Sequence, residues 1–293
     1  MMGAATRPRV LIASYAERRP LREDDLPLRD ALDALGIEPV PIVWDEEADW
    51  TRFDACLLRS VSDYPTKFRK FKSWIGDVAG AIPLWNSHDL TLWNSDKSYL
   101  RDLAEQGVPT IPTVWLSQGS ETDLHELLDT KHWTEAIVKP AIGLGSQDLY
   151  RVKKGERELA QGLVDLQRDH NVLVQPFLYS VEERGETSLI FIAGELTHTV
   201  KKRPMAGDFR VQKPFGGTSE TFEHTRDEEE VARQALDCLD AVPLYARVDL
   251  VASASGDPLL IELELIEPDL FFRHEPRAPA LLANAIAELL LER

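Results

Sequence analysis

The chain is poor in what a disulfide scaffold, a membrane span or a polyanion-binding protein requires. Its 293 residues hold two cysteines, Cys56 in the apolar run ACLL and Cys238 on the apolar side of a helical pattern. Neither has the spacing of a disulfide framework or a zinc site, so both are expected to be reduced and buried. No stretch approaches the roughly 18 unbroken apolar residues of a membrane helix. The N-terminus, MMGAATRPRV, lacks the apolar region of a signal peptide. A soluble, cytoplasmic protein without a membrane partner is expected. Basic charge is also scarce, since 33 Lys and Arg against 50 Asp and Glu leave a formal net charge of -17. Phosphate-backbone recognition rests on clustered Lys and Arg, so no nucleic-acid partner is expected. The acids are dispersed, apart from DEEAD at 45–49 and RDEEE at 226–230, which read as solvated faces and helix starts. Internal repeats and low-complexity tracts are absent. No glycine-rich fingerprint follows the first strand, so a nicotinamide-binding role is not indicated.

What is present is a chain long enough for about two domains. The first stretch alternates strand signals, RVLIAS at 9–14, PVPIVW at 39–44, ACLLRS at 55–60 and IPLWNS at 82–87, with helical patterns near 24–35 and 65–79. That alternation predicts a parallel sheet with crossover helices. Asn94 or Ser95 can cap a helix running to about Gln106, with Gly107 and Pro109 terminating it. A compact α+β segment follows, from TIPTVWL through AIVKPA at 136–141 and DLYRV to VLVQPF at 172–177. The last part opens with a hairpin turning at Ala193 and Gly194, then a loop from Arg203 to Gly217 long enough to suspect function. Thr225 with Glu228 forms a capping box for an apolar-striped helix, and another helix near 278–291 closes the chain.

Three carboxylates, Asp249, Glu262 and Glu264, interrupt apolar strand sequence around a turn at Ala254 to Asp257. If that turn is centred between Ser255 and Gly256, Asp249 lies opposite Glu262 and Arg247 opposite Glu264, all on one face. Val248, Leu250, Ile261, Leu263 and Leu265 then share the other face, as a buried side requires. Carboxylates this close repel one another, and a hard cation such as Mg²⁺ suits their oxygens. The alternative is a solvated hairpin face with scattered acids.

Lys139 leaves the end of the apolar run IVKP just before Gly143-Leu144-Gly145-Ser146, an arrangement suited to phosphate oxygens. A snorkelling edge lysine before an ordinary turn is the competing reading. At VLVQPFLYSVEERGE a buried strand runs into a polar linker. Backbone groups near Phe177 and Leu178 can meet an adenine edge there, with Glu186 placed for ribose hydroxyls. For a substrate, Arg59, Ser60, Asp63 and Tyr64 end a strand where open α/β sheets bind ligands. Lys202, Arg203, Arg210 and Arg273 can pair with a carboxylate or an acyl phosphate, and surface salt bridges would explain them equally well.

The ordered set DK at 96–97, VKP at 138–140 with GLGS, QPFL at 175–178, GE at 185–186, RVD at 247–249 and ELE at 262–264 resembles the ATP-grasp superfamily. The likeness is to its glutathione-synthetase-like branch, which includes a ligase forming D-cycloserine by ring closure, and it covers most of the chain. It implies an N-terminal parallel-sheet domain (1–93) and two α+β subdomains, 94–180 and 181–293, that clasp ATP. Lys97 and Lys139 would contact ATP phosphates under the loop containing Gly143, Gly145 and Ser146. Gln175, Phe177 and Leu178 would line the adenine pocket, with Glu186 at the ribose. Asp249, Glu262 and Glu264 would hold one or two Mg²⁺ ions, or Mn²⁺, and Arg247 would stabilise the transferred phosphoryl group, with Lys139 and Arg210 assisting. Many relatives carry Asn where this chain has Glu264. The implied reaction is ADP-forming ligation of a small amino-acid-like or peptide-like carboxylate to an amine or another nucleophile through an acyl phosphate. A kinase on the same scaffold and a non-catalytic nucleotide-binding module are the alternatives. A homo-oligomer is compatible with all three.

Overall fold

A computed structural model of the protein describes residues 7–18 and 21–292. The alternating first stretch forms β1 (Arg9–Ser14), α1 (Leu26–Ala34), β2 (Glu38–Val43), β3 (Ala55–Leu58), α2 (Phe68–Ala81) and β4 (Leu84–Trp85). These strands pair in parallel in the order β2-β1-β3-β4. Parallel pairing forces each connection across a face of the sheet, and α2 fills one face with Phe71, Trp74, Ile75 and Val78 against Leu11, Cys56 and Leu58.

The single helix expected from Asn94 or Ser95 to Gln106 is instead two, α3 (His88–Asn94) and α4 (Tyr99–Glu105). Ser87 Oγ accepts the Leu90 N–H and starts α3, while Asp96 Oδ1 accepts the Ser98 N–H at 2.9 Å and turns the chain between the helices. Gly107, at φ 91°, ends α4 as expected. Then come β5 (Val114–Leu116), α5 (Leu124–Lys131), β6 (Glu135–Pro140), β7 (Tyr150–Lys153), α6 (Arg157–Asp169) and β8 (Val172–Pro176). They make an antiparallel sheet, β5-β8-β6-β7, over a core that includes Leu128, Val138, Val152 and Val174.

The remaining elements are α7 (Ser180–Arg184), β9 (Glu186–Ile192), β10 (Glu195–Arg203), β11 (Thr218–Thr221), α8 (Arg226–Asp237), β12 (Tyr245–Ala252), β13 (Pro258–Glu264) and α9 (Ala278–Leu291). An antiparallel sheet results, β11-β10-β9-β12-β13. The hairpin turn at Ala193 and Gly194 and the Thr225–Glu228 capping box are present. The short helix α7 and the edge strand β11 have no periodic signal in the sequence. Cys238 follows α8 half-buried rather than buried, with its Sγ donating to Gln234 O, and both cysteines are free.

The alternation along β12 sorts its side chains between two cores. Ala246, Val248 and Leu250 meet Leu100 and Leu103 of α4 and Val231, Ala232 and Ala235 of α8. Tyr245, on the opposite face, joins Ile190 and Val200 in a core with Val10 and Ile12 of β1 and Leu282 and Ile286 of α9. The first sheet thus packs on the apolar half of the face whose other half carries Arg247 and Asp249.

The register of the β12–β13 hairpin brings Arg247 opposite Glu264 and Asp249 opposite Glu262. It does so through a bulge, since Leu250 pairs with Leu260 and Ile261 is the extra residue. The turn is accordingly one residue longer than expected, closed by Ser253 N–H donating to Asp257 O. Leu260 takes the buried position assigned above to Ile261, and Ile261 turns toward a cavity.

Two buried asparagines fasten this hairpin. Asn94 donates to Leu263 O at 2.8 Å and accepts from Leu265 N at 2.9 Å. Asn86 donates to Tyr245 O and Leu265 O and accepts from Leu244 N. Asn94→Ala leaves two buried backbone groups unpaired, at about 1–3 kcal/mol each. Denaturant unfolding of that variant should show a loss of this size, whereas a loss below about 1 kcal/mol would mean that the fastening carries little energy.

Candidate active site

A cavity of about 1340 Å³ opens where the three sheets meet. Its size exceeds the roughly 300–1,000 Å³ of an ordinary small-ligand pocket, leaving room for more than one ligand. Asp249, Glu262 and Glu264 lie on its wall, each offering an oxygen within 4.8 Å of the others. All three donors are carboxylates, a set that fits a hard divalent cation and not a soft one.

Cations from four elements meet these acids. Arg247 forks onto Asp249, with Nε 3.0 Å from Oδ1 and Nη2 3.0 Å from Oδ2, and Nη2 also donates to Glu264. Lys202, from β10, lies 2.9 Å from both Asp249 Oδ2 and Glu186 Oε2. Lys97, between α3 and α4, lies 2.9 Å from Glu262 Oε1 and donates to Gly143 O at 2.7 Å. Ser188 Oγ donates to Asp249 Oδ1 at 2.6 Å. Lys139 faces Glu262 from the end of β6, within its electrostatic reach. Arg247 does not face the three acids alone, because lysines from three distant segments line the same wall.

The titration behaviour follows from this arrangement. Burial alone would raise Asp249, but Arg247, Lys202 and the Ser188 hydrogen bond outweigh it and hold the carboxyl well below its ordinary value. Burial would raise Glu262 too, and Lys97 with Lys139 reverses the direction. Glu264 goes the other way: burial pushes it up to about 7, with Arg247 opposing the shift and the charges of Glu262 and Asp249 adding to it. Burial lowers Lys139 to about 8, against the pull of Glu262 and Glu186. Enclosure is the main reason that this carboxyl is hard to ionise even beside a guanidinium, and a divalent cation at its oxygens would favour the ionised form.

The chain's glycine loop edges the same cavity, with Gly145 at φ 64° and Ser146 at φ 62° in successive left-handed conformations. A Cβ at Gly143 would sit 3.0 Å from Pro140 Cγ, so the loop leaves β6 tightly. At the hinge, Gln175, Phe177, Leu178 and Glu186 all line the cavity. Phe177 N–H donates to Glu135 O at 3.0 Å, so that group is not on offer to a ligand, contrary to the expectation for this segment. The Phe177 ring stacks under the Arg151 guanidinium at 3.6 Å and meets Phe209, from the 203–217 loop, edge-on at 5.8 Å.

The residues proposed for substrate separate into two groups. Lys202, Arg210 and Arg273 line the cavity. Arg210 is held by Asp208 and lies 3.7 Å over the Phe215 ring, while Arg273 is gripped by Asp24 and Asp269. Arg59, Ser60, Asp63, Tyr64 and Arg203 do not lie on its wall. Arg59 is 1 % exposed and donates to Asp25 at 2.7 Å and to Pro268 O. Ser60 is enclosed, Asp63 accepts from Trp44 Nε1 and Lys67, and Tyr64 packs on Phe71 in the core, where it borders only a small recess beside Glu262. Arg203 turns outward to Glu220. From this strand end it is Ser62 that reaches the cavity, donating to Glu267 at 2.9 Å.

Several wall residues gave no sequence signal. Arg22 pairs with Glu267, Asp24 accepts the Phe272 and Arg273 N–H groups, and Phe271 takes a left-handed φ of 50° between the guanidinium groups of Arg247 and Arg273. Residues 22–25 lie at the start of the helical pattern near 24–35, which marks a helix and no site, and 267–273 follows the acidic strand as an irregular EPDLFFR.

Residues 104–254 match the family model described as prokaryotic glutathione synthetase, ATP-grasp domain, and residues 10–86 match that of the D-cycloserine synthetase DcsG, N-terminal domain. The cycloserine biosynthesis protein DcsG of Streptomyces lavendulae is 32 % identical over 92 % of this chain and 95 % of its own length. A crystal structure of D-cycloserine synthetase DcsG superposes with a TM-score of 0.87 at 30 % identity, covering 96 % of this chain and 99 % of that one. D-alanine–D-alanine ligase from Bacillus anthracis, also solved in complex with ATP, superposes at 0.69 with 18 % identity, covering 97 % and 98 %, which shows a shared fold.

The placement of Arg59 yields a test. Removing one partner of a buried ion pair costs about 3–5 kcal/mol. Arg59→Met should therefore lower the unfolding free energy by that amount in denaturant titration, while a nucleotide analogue still raises the melting temperature of the folded fraction as in the parent protein. Full stability in that variant would mean that the pair with Asp25 is not what holds Arg59 in the core.

Proposed function

This chain belongs to the ATP-grasp family and is an ADP-forming carboxylate–amine ligase, and from that premise we propose how its residues divide the work. The observation that carries the reading is the ring of carboxylates and cations on one cavity wall, with a lysine and a glycine loop entering from the opposite sheet. Residues 1–93 supply the acceptor side, 94–180 the loop and hinge, and 181–293 the acidic wall. Lys97, Lys139 and the loop of Gly143, Gly145 and Ser146 hold phosphates. Gln175, Phe177, Leu178 and Glu186 receive the adenosine. Asp249, Glu262 and Glu264 would hold Mg²⁺, which when bound offsets charge on the phosphoryl oxygens.

Arg247 then faces the oxygens of the transferred phosphoryl group, where charge spreads in the transition state. Arg273, Arg210 and Lys202 are placed to orient the substrate carboxylate. The carboxylate attacks the terminal phosphorus and ADP leaves, and the acyl phosphate so formed is attacked by the nucleophile with release of phosphate. Positioning is worth up to about 7–11 kcal/mol in favourable intramolecular cases, so no nucleophilic side chain is required. The substrate is a small amino-acid-like carboxylate. The full-length likeness to a D-cycloserine synthetase supports a substrate that carries its own nucleophile and closes a ring. The two free cysteines support a reducing, cytoplasmic setting. Among the described residues no helix is long and apolar enough to cross a membrane.

ADP release against a panel of amino-acid-derived carboxylates, each with and without an added amine, tests the reading. Turnover by one compound alone, with loss of water from its mass, is the result expected for ring closure. A stable phosphorylated product with no second step would instead show a kinase, and no substrate-dependent ADP would count against ligation. Glu262→Gln should lower kcat by on the order of 100-fold with its unfolding transition retained. Full activity in that variant would remove the metal-site assignment.

A further inference from the structure

Each carboxylate on the acidic wall already has a cationic partner before any ligand arrives, and Lys139 lines the same wall without a direct ion pair. Four carboxylates, Glu186, Asp249, Glu262 and Glu264, stand against four cations, Lys97, Lys139, Lys202 and Arg247, so the cluster is charge-balanced. A metal entering alone would draw Asp249, Glu262 and Glu264 away from Arg247, Lys202 and Lys97, leaving those cations buried and unpaired. A nucleotide entering alone would draw the cations away and strand the acids. When both arrive, the carboxylates turn to the metal and the cations to the phosphates, and no charge is left over.

We propose that Glu264 is a holding residue for Arg247, and that the cluster works by exchanging partners, so that divalent cation and nucleotide each bind poorly without the other. The proposal rests on the nucleotide reading given above and adds to it a direction for each charge. Glu264 is the member that completes the balance. Its carboxylate, with the fork of Asp249, keeps Arg247 on the protein until a cation takes the acids. A neutral side chain at position 264 would leave the cluster with one cation in excess, and a metal-free nucleotide would then find Arg247 partly released. Deleting Lys97 has the mirror effect, since Glu262 loses the ammonium at 2.9 Å and the wall gains an acid in excess.

The two substitutions therefore shift binding in opposite senses, which a purely structural role would not produce. Binding of a non-hydrolysable ATP analogue in EDTA is measured by calorimetry, and binding of Mn²⁺ without nucleotide is read from the free-ion electron paramagnetic resonance signal. Thermal melting checks each fold. In the parent protein the analogue should bind more tightly with Mn²⁺ than in EDTA, by a factor within the roughly 5- to 150-fold usual for coupled sites. Glu264→Gln should tighten metal-free analogue binding by about tenfold and weaken Mn²⁺ binding, a change of ordinary coupling size. Lys97→Met should tighten nucleotide-free Mn²⁺ binding and weaken the analogue.

Equal weakening of both ligands in Glu264→Gln, or no gain of Mn²⁺ affinity in Lys97→Met, overturns the exchange while leaving the nucleotide site standing. If one variant does not melt cooperatively, the other decides. Failure of the parent protein to bind the analogue with or without Mn²⁺ overturns both the exchange and the nucleotide reading.

Discussion

Three carboxylates on one face of a hairpin cannot be enclosed unless positive charge reaches them, and the need to bring that charge from elsewhere ties the three sheets together. Arg247 comes from the same strand, but Lys202 comes from β10, Lys97 from the turn between α3 and α4, and Lys139 from the middle sheet. Lys97 and Lys202 each fix one more segment against β12 and β13. Lys97 also donates to Gly143 O, and its own N–H to Ala141 O, so the glycine loop is anchored to the acidic wall through a residue belonging to neither. The position of the cavity follows from this electrostatic requirement as much as from apolar packing.

The first sheet is locked to the same hairpin by a different set of bonds. Asn86 and Asn94 hold the ends of β12 and β13, the Tyr245 hydroxyl donates to Leu58 O and Ile266 O, and Arg59 reaches Pro268 O. Asp24 accepts the N–H groups of Phe272 and Arg273 and thereby sets the bend after Phe271, whose left-handed backbone is uncommon for a bulky side chain. That bend brings the Phe271 ring within reach of both guanidinium groups, 5.6 Å from Arg247 and 4.6 Å from Arg273. A residue near the N-terminus thus takes part in setting the surroundings of Arg247.

Much of this was legible in the sequence because opposed strand positions share a fixed sum of residue numbers. Arg247 with Glu264 and Asp249 with Glu262 followed from that rule. The bulge did not, since Leu260 and Ile261 are equally apolar and the pattern cannot tell which faces the core. The alternation of the first stretch gave its parallel sheet, and α9 fell on the expected residues, because both depend on local periodicity. Side-chain direction at loop ends was not readable. Arg59, Ser60, Asp63 and Tyr64 looked like the mouth of a ligand site, yet only Ser62 points there, and Arg59 spends its charge on Asp25 inside the core. Asn94 was taken for a cap because a short polar side chain before a helical pattern usually is one. Its actual partners lie some 170 positions on, at Leu263 and Leu265, beyond any local signal.

Stability offers no reason to keep such a cluster. A buried set of ion pairs recovers little more than its desolvation cost, and apolar residues of similar volume often stabilise a fold as well or better. The same face shows that alternative a few residues away, where Ile190, Val200 and Tyr245 pack against the first sheet. The strands change from one solution to the other between Tyr245 and Arg247 on β12, with no change in backbone geometry to force it. What the charged half has that the apolar half lacks is an open cavity in front of it. Charges that gain little from one another, held at the edge of a space, are poised for other partners. That is the physical ground for reading the wall as a site whose internal pairs stand in for ligands.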